Sequence, residues 1–173
     1  MFTISTSRLN LIPATAAMLE AELASSAELA SVLGVTVPDN WPPGEYDRSA
    51  ICYFLDRMRE NLDAAGWYSW YAILRSVEGQ NTLVGAAGFF GPPDANGQAE
   101  IGYSVMSAFA GKGLGTEMVQ ALLCYASGSK QVKRLIAHTS MENIGSIRVL
   151  EKAGFYPVGP GQELGIIEYA KDF

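Results

Sequence analysis

Apolar and polar positions along the chain change their spacing several times, and each change marks an element. Over 4–13, Leu9 and Leu11 alternate with Arg8, Asn10 and Ile12, the two-residue spacing of a strand. The next stretch, to 25, predicts a helix, and a second short helix covers 27–33. Residues 34–44 hold three prolines and two glycines and predict a loop, a place where function often resides. Asp47 is placed to cap a helix running to about Ala64, with Ile51, Phe54, Leu55, Met58 and Leu62 on one side. An aromatic run over 67–75, a turn at Glu78-Gly79-Gln80-Asn81 and a return run over 82–90 predict a hairpin.

A turn over 91–97 leads to a fourth strand over 99–106, a glycine cluster and a helix over 113–127. Leu114, Met118, Ala121, Leu122 and Tyr125 recur in that helix at helical spacing. A fifth strand is predicted over 132–139, and a helix over 143–153 with Ile144, Ile147 and Leu150 on one face. Gly154 stops it, and Lys152 sits in its last turn, where a cation suits the helix dipole. Two closing strands follow over 155–158 and 165–169. With no repeat or linker, the 173 residues read as a single α/β (α+β mixed) domain over 1–173, its sheet partly antiparallel and partly parallel.

The candidate chemistry centres on the cluster at Gly111, Gly113 and Gly115, where a strand passes into a helix. The first N–H groups of a helix have no partner within it, so several amides can face one anion there. Lys112 and Thr116 add donors, and the whole reads as a pyrophosphate cradle. A P-loop is excluded because Gly113 follows Lys112, and the dinucleotide fingerprint matches only in part because position 116 is Thr. A flexible glycine-rich connection is the plain alternative.

Composition narrows the field further. A net charge of −6 argues against nucleic acid as the main partner, and no apolar run approaches the ~20 residues of a membrane span. The first residues carry no export signal, so a cytoplasmic location is expected. Cys52 and Cys124 lie far apart without CxxC spacing and are expected to be buried thiols, and no metal site is predicted.

Three blocks in order carry a family resemblance. They are Ala99-Glu100-Ile101-Gly102-Tyr103-Ser104-Val105, the glycine loop ending Gly115-Thr116-Glu117, and Asn143-x-x-Ser146-x-x-Val149-Leu150-Glu151-Lys152-Ala153-Gly154-Phe155. Together they resemble the GNAT acetyltransferase superfamily and, more narrowly, its ribosomal-protein-alanine (RimJ/RimL-type) branch. Thr6-Ser7-Arg8-Leu9-x-Leu11 resembles that branch too, so the similarity covers nearly the whole chain.

The resemblance implies transfer of an acetyl group from acetyl-CoA to a primary amine. It implies a mostly antiparallel sheet of about seven strands, flanked by helices and splayed between its fourth and fifth strands to seat the cofactor. Backbone at Ser104, Val105 and Met106 would pair with the pantetheine arm, and Gly111, Lys112, Gly113, Leu114, Gly115 and Thr116 would hold the pyrophosphate. Relatives usually begin this loop with Arg or Gln. Ala110 stands there instead, which is expected to weaken cofactor binding by about 1 kcal/mol. Many relatives protonate the departing thiolate from a tyrosine whose position is Leu150 here. The Rim-type branch implies Ser146 as the substitute, with Asn143 on the pantetheine arm or ordering a water.

An alkylammonium keeps its proton at pH 7, so the reaction needs a base. Glu100 is the first candidate, on one strand face with Gly102 and Ser104. It can equally be a glutamate that only meets solvent or pairs with a basic group. Helix capping is the alternative for Asn143 and Ser146. His138, the one histidine, is a reserve base. Trp41, Tyr68, Trp70, Phe89 and Phe90 are candidates for an acceptor pocket, since aromatic faces attract ammonium groups, with core packing the alternative. Trp41, in the proline-bound loop, is the candidate lid.

No cysteine stands in the motif blocks to carry an acetyl-enzyme, so direct transfer in a ternary complex is expected. The acceptor is an amine-bearing small molecule or a protein N-terminus, and a homodimer is left open. The alternative is a non-catalytic module that binds acyl-CoA as a sensor or structural ligand.

Overall fold

The structure, a computed structural model, describes residues 2–61 and 64–173. Met1, Leu62 and Asp63 fall outside them, and with them the expectation that Leu62 lies on the inner side of the third helix. The strand expected over 4–13 is two strands, β1 (Ile4–Ser5) and β2 (Leu9–Pro13), folded back so that Ile4 pairs with Leu11. Thr6 closes that turn: its N–H donates to the Leu9 carbonyl at 2.9 Å and its Oγ1 accepts from the Leu9 N–H at 3.0 Å. The remaining strands are β3 (Ser69–Leu74), β4 (Thr82–Phe89), β5 (Gln98–Val105), β6 (Arg134–Ser140), β7 (Tyr156–Pro160) and β8 (Ile166–Asp172). They form one eight-stranded sheet in the order β1-β2-β3-β4-β5-β6-β8-β7, so the expected seven becomes eight through the split first strand.

Five α-helices cover the faces: α1 (Ala16–Ala24), α2 (Ser26–Leu33), α3 (Arg48–Glu60), α4 (Leu114–Ser129) and α5 (Ile144–Lys152). Side chains cap four of them. Thr15, Ser25, Asp47 and Asn143 each accept the amide three residues on, which satisfies one of the donors a helix start leaves unpaired. In β3, Trp70 and Ala72 pack toward α4 and α5, while Tyr71 and Ile73 pack with residues of α1 to α3. Apolar surface on both sheet faces explains why this region reads as a nearly continuous hydrophobic run.

Three expectations fail on burial. Cys124 is exposed on the outer side of α4, and Cys52 is half-buried at the flank of α3. Of the apolar face expected on α5 only Leu150 is buried, and Ile144 is 52% exposed in the helix's first turn. Trp41 is no lid. Its indole Nε1 donates to the buried Glu22 carboxylate at 2.6 Å, which also receives the hydroxyls of Tyr71 at 2.6 Å and Tyr46 at 3.1 Å. Burial pushes the Glu22 carboxyl pKa up, and these three donors only partly counter it.

The sheet comes apart at its centre. The parallel pair β5–β6 is joined only at Gln98, Ala99 and Glu100, opposite Arg134, Leu135 and Ile136. Beyond Glu100, β5 stays with β4, from Ile101 opposite Phe89 to Val105 opposite Gly85. β6 stays with β8, from Ala137 opposite Tyr169 to Ser140 opposite Ile166. A wedge opens between them, and α4 and α5 begin beside it.

The amino-terminal turn holds the start of α4. Glu117 accepts from the Thr6 hydroxyl at 2.5 Å, the Ser7 hydroxyl at 3.0 Å, the Arg8 amide at 2.8 Å and Arg8 Nε at 2.8 Å. Arg8 Nη2 lies 2.7 Å from its second oxygen, while Arg8 Nη1 donates to the Lys112 carbonyl at 2.8 Å. Burial raises the Glu117 pKa, but the Thr6, Arg8 and Ser7 donors outweigh it and hold the carboxyl down at about 2. Glu117→Gln turns one acceptor into a donor among donors, and the expected loss of stability at pH 7 is about 2 kcal/mol, tempered by the half-exposed Arg8. Because the folded pKa lies below the ordinary 4.5, the charge's stabilisation is complete above pH 4.5 and fades as pH falls through about 2. Urea unfolding should therefore give a wild-type-to-variant gap that narrows as the pH is lowered from 7 toward 2. Equal midpoints at pH 7 would remove this role for Glu117.

Candidate functional site

The wedge is the mouth of a continuous groove made of two cavities, of about 510 and about 420 Å³, which share Tyr103, Ser104, Asn143 and Ser146. The smaller runs along the glycine loop, past Ala110, Gly111, Gly113, Leu114, Gly115 and Thr116. Gly111 and Gly113 have φ of 73° and 78°, a left-handed backbone that an L side chain rarely adopts. A Cβ on Gly115 would lie 3.3 Å from Val149 of α5, so a bare backbone is also what lets the two helix starts meet.

The first N–H of α4 with a partner inside the helix is that of Glu117, bonded to the Gly113 carbonyl, and no side chain caps this end. Among the described residues the amides of Leu114, Gly115 and Thr116 therefore have no partner, and they lie at the positive end of a 16-residue helix, beside the groove. Arg148 and Lys152, one turn apart on α5, line the same cavity. An uncapped helix start, a glycine cradle and two cations fit a diphosphate. The two cations were not among the candidates, although their spacing from Ser146 along one helix was readable.

Two expected members of this end lie elsewhere. Lys112 folds away from the groove, with Nζ donating to the Ala108 carbonyl at 3.1 Å and lying 5.2 Å from the centre of the Phe109 ring. Its own carbonyl accepts from Arg8 Nη1 at 2.8 Å. Met106 is 1% exposed in the α1–α3 core, and its N–H donates to the Val84 carbonyl at 2.8 Å. Since backbone groups alternate along a strand, Ser104 shares Met106's direction toward β4, whereas Ile101, Tyr103 and Val105 turn theirs to the wedge. Ser104 lines the groove by its side chain, whose hydroxyl donates to the Pro43 carbonyl at 2.9 Å.

At the junction, the Tyr103 hydroxyl lies 2.7 Å from Ser146 Oγ and 3.0 Å from the Ser146 carbonyl. Burial lifts its pKa to about 12 against the pull of Ser146, so the phenol keeps its proton at neutral pH. Tyr103 escaped the sequence reading because it points to the strand face opposite Glu100. Asn143 does cap α5, with Oδ1 accepting the Ser146 amide at 3.0 Å. Its side-chain nitrogen has no protein partner among the described residues.

The larger cavity holds Glu100, not as an isolated carboxylate. Its Oε1 lies 2.8 Å from His138 Nδ1, and His138 Nε2 lies 3.3 Å from Glu168 Oε2. Burial lowers the His138 pKa, but the two flanking carboxylates more than offset it and leave the imidazole more basic than usual. Phe90, 46% exposed, lines this cavity together with Tyr46 and Phe54. Trp70 does not: it is fully buried on the α4 side, its indole donating to the Gly66 carbonyl at 2.9 Å. Tyr68 and Phe89 are core residues as well.

Comparison with known proteins places the chain in a family. Residues 8–156 match the acetyltransferase (GNAT) domain family. The uncharacterized N-acetyltransferase YjdG of Bacillus subtilis (strain 168) is 31% identical over 155 residues, 90% of each chain. Among solved structures, the ribosomal L7/L12 alpha-N-protein acetyltransferase RimL in complex with coenzyme A superposes with a TM-score of 0.69 at 18% identity, over 99% of this chain and 98% of that one. The microcin C7 self-immunity acetyltransferase MccE, in complex with acetyl-CoA and AMP, gives 0.65 at 18% identity, over 97% and 94%. With its wedge, its glycine cradle and a family match across most of its length, the chain belongs to the GNAT acetyltransferase family, whose acetyl donor is acetyl-CoA.

Proposed function

We propose that this protein transfers the acetyl group of acetyl-CoA directly to a primary amine, with donor and acceptor bound together in the groove. The observation that carries the reading is the single groove running from the uncapped α4 start, past Tyr103 and Ser146, to Glu100 and His138. The cofactor supplies an activated acyl thioester. Leu114, Gly115, Thr116, Arg148 and Lys152 bind its phosphates, while the wedge-facing backbone of Tyr103 and Val105 holds the pantetheine arm. Side chains therefore replace the contact missing at Ala110.

Glu100 and His138 act as one base. Neutral His138 keeps its one proton on Nε2, toward Glu168, so that Nδ1 is free to accept one. Glu100 takes the acceptor's proton at its outward oxygen, rotation of the carboxyl brings that O–H to Nδ1, and the resulting imidazolium rests between Glu100 and Glu168. A base is most useful when its pKa lies near the working pH, and the two carboxylates move His138 upward from 6.5 toward that range. At the other side of the reacting centre, the Tyr103 and Ser146 hydroxyls hold protons available to the departing sulfur. Proximity within the groove supplies much of the remaining rate.

Thiol release from acetyl-CoA over a panel of amines and peptides tests the function. Acetyl-CoA at 100 times its dissociation constant should also raise stability by about 2.7 kcal/mol. Cofactor binding without turnover on any acceptor would favour the sensor reading. Glu100→Gln is expected to lower kcat by about a hundredfold with acetyl-CoA affinity retained. Because protonated His138 cannot accept a second proton, kcat/KM should fall as pH drops through its raised pKa. Glu168→Gln removes one of the raising charges and should move that limb to lower pH. A limb unmoved by Glu168→Gln would place the base elsewhere. Tyr103→Phe and Ser146→Ala should each lower kcat about tenfold, and the double variant little further if the hydroxyls act as a unit. Full additivity would separate them.

A further inference from the structure

The two ends of the groove differ in charge. The phosphate end is lined by Arg148 and Lys152 and by no carboxylate, whereas the acceptor end is lined by Glu45, Glu100 and Glu163 with His138, and by no Lys or Arg among the described residues. Glu100 is accounted for by His138. Glu45, on the loop before α3, and Glu163, on the turn between β7 and β8, are not: neither side chain makes a hydrogen bond or ion pair among the described residues. Both are exposed and solvated in the free protein, and the reacting amine offers them no charge when it attacks, because it must then be neutral. The same cavity is lined by the aromatic Phe54 and Phe90, their rings 5.9 Å apart, an apolar surface suited to methylenes.

From this partition we infer that the acceptor carries a second positive charge on an apolar stem, held by Glu45 and Glu163 while the first amine is acetylated. A diamine-like small molecule and a peptide N-terminus followed by a basic side chain share that chemistry. The inference rests on the acetyltransferase reading and narrows its substrate.

The test measures kcat/KM for four small acceptors of equal length: a diaminoalkane, a monoamine, an amino alcohol and an amino acid with a terminal carboxylate. A parallel arm uses short peptides of identical first residue with lysine, glutamine or glutamate second. The dicationic member of each arm is expected to be preferred about tenfold over its neutral counterpart, and the anionic member to be worst. Raising ionic strength from about 0.01 to about 1 M shortens the screening length from about 30 to about 3 Å and should erode the preference. Glu45→Gln with Glu163→Gln should collapse the cationic-to-neutral ratio toward one, with acetyl-CoA affinity retained. The faster arm assigns the source of the acceptor. Equal rates for cationic and neutral acceptors, or a preference that survives the double variant, overturn the inference alone. Bound acetyl-CoA with no transfer to any member overturns the acetyltransferase reading and this inference with it.

Discussion

A parallel strand pair that stops after three residue pairs leaves two strand edges with unmade hydrogen bonds inside the protein, and the rest of the molecule is arranged around that gap. Buried backbone groups are costly without partners. Here those of Ile101, Tyr103 and Val105 turn toward a groove open to solvent. The halves of the sheet are held apart because each has a full antiparallel neighbour of its own, β4 for β5 and β8 for β6. The gap is thus the outcome of two stable half-sheets sharing a short seam at Gln98, Ala99 and Glu100.

That seam also brings the chemistry together. Glu100 is its last residue on β5, and His138 lies two residues past its end on β6, so the strands have just begun to part where their side chains meet at 2.8 Å. Tyr103, three residues beyond Glu100, crosses to Ser146 on the other side of the sheet. The Glu100–His138 and Tyr103–Ser146 pairs therefore flank the same opening from its two faces, while the α4 start supplies fixed positive potential at the far end. None of these groups depends on a long flexible loop for its position.

Much of this was legible in the sequence. The change from two-residue to helical spacing across 99–127, with three glycines at the junction, marked β5, the glycine loop and α4, while the parting of β5 from β6 was expected only from the family resemblance. Asp47 stood out as a helix cap because its short side chain precedes an amphipathic run, whereas capping was only the alternative reading for Asn143, which does cap α5. What was not legible depended on partners distant in the chain. Trp41 looked like a lid in a proline-rich loop, but Glu22 on α1 draws its indole inward. Trp70 was assigned to the acceptor side, and strand alternation alone could not tell which sheet face the groove would use. Lys112 sits among the phosphate-loop residues in sequence, yet Arg8 takes its carbonyl and the side chain leaves. Glu100 and His138 were separate candidates for the base, and their contact at 2.8 Å was not legible, since the pairing of β5 with β6 is a property of the fold.

The bridge from the Arg8 amide to Glu117 spans 109 residues. Contacts of such separation are slow to form, because the ends of a long chain segment must first be brought together. The glycine loop consequently reaches its final shape only once the first turn of the protein has come back to the start of α4, even though its glycines and the helix behind them are neighbours in sequence. Local sequence sets the loop's backbone, and a segment from the beginning of the chain locks it, which ties the loop's maturation to the pairing of β1 with β2.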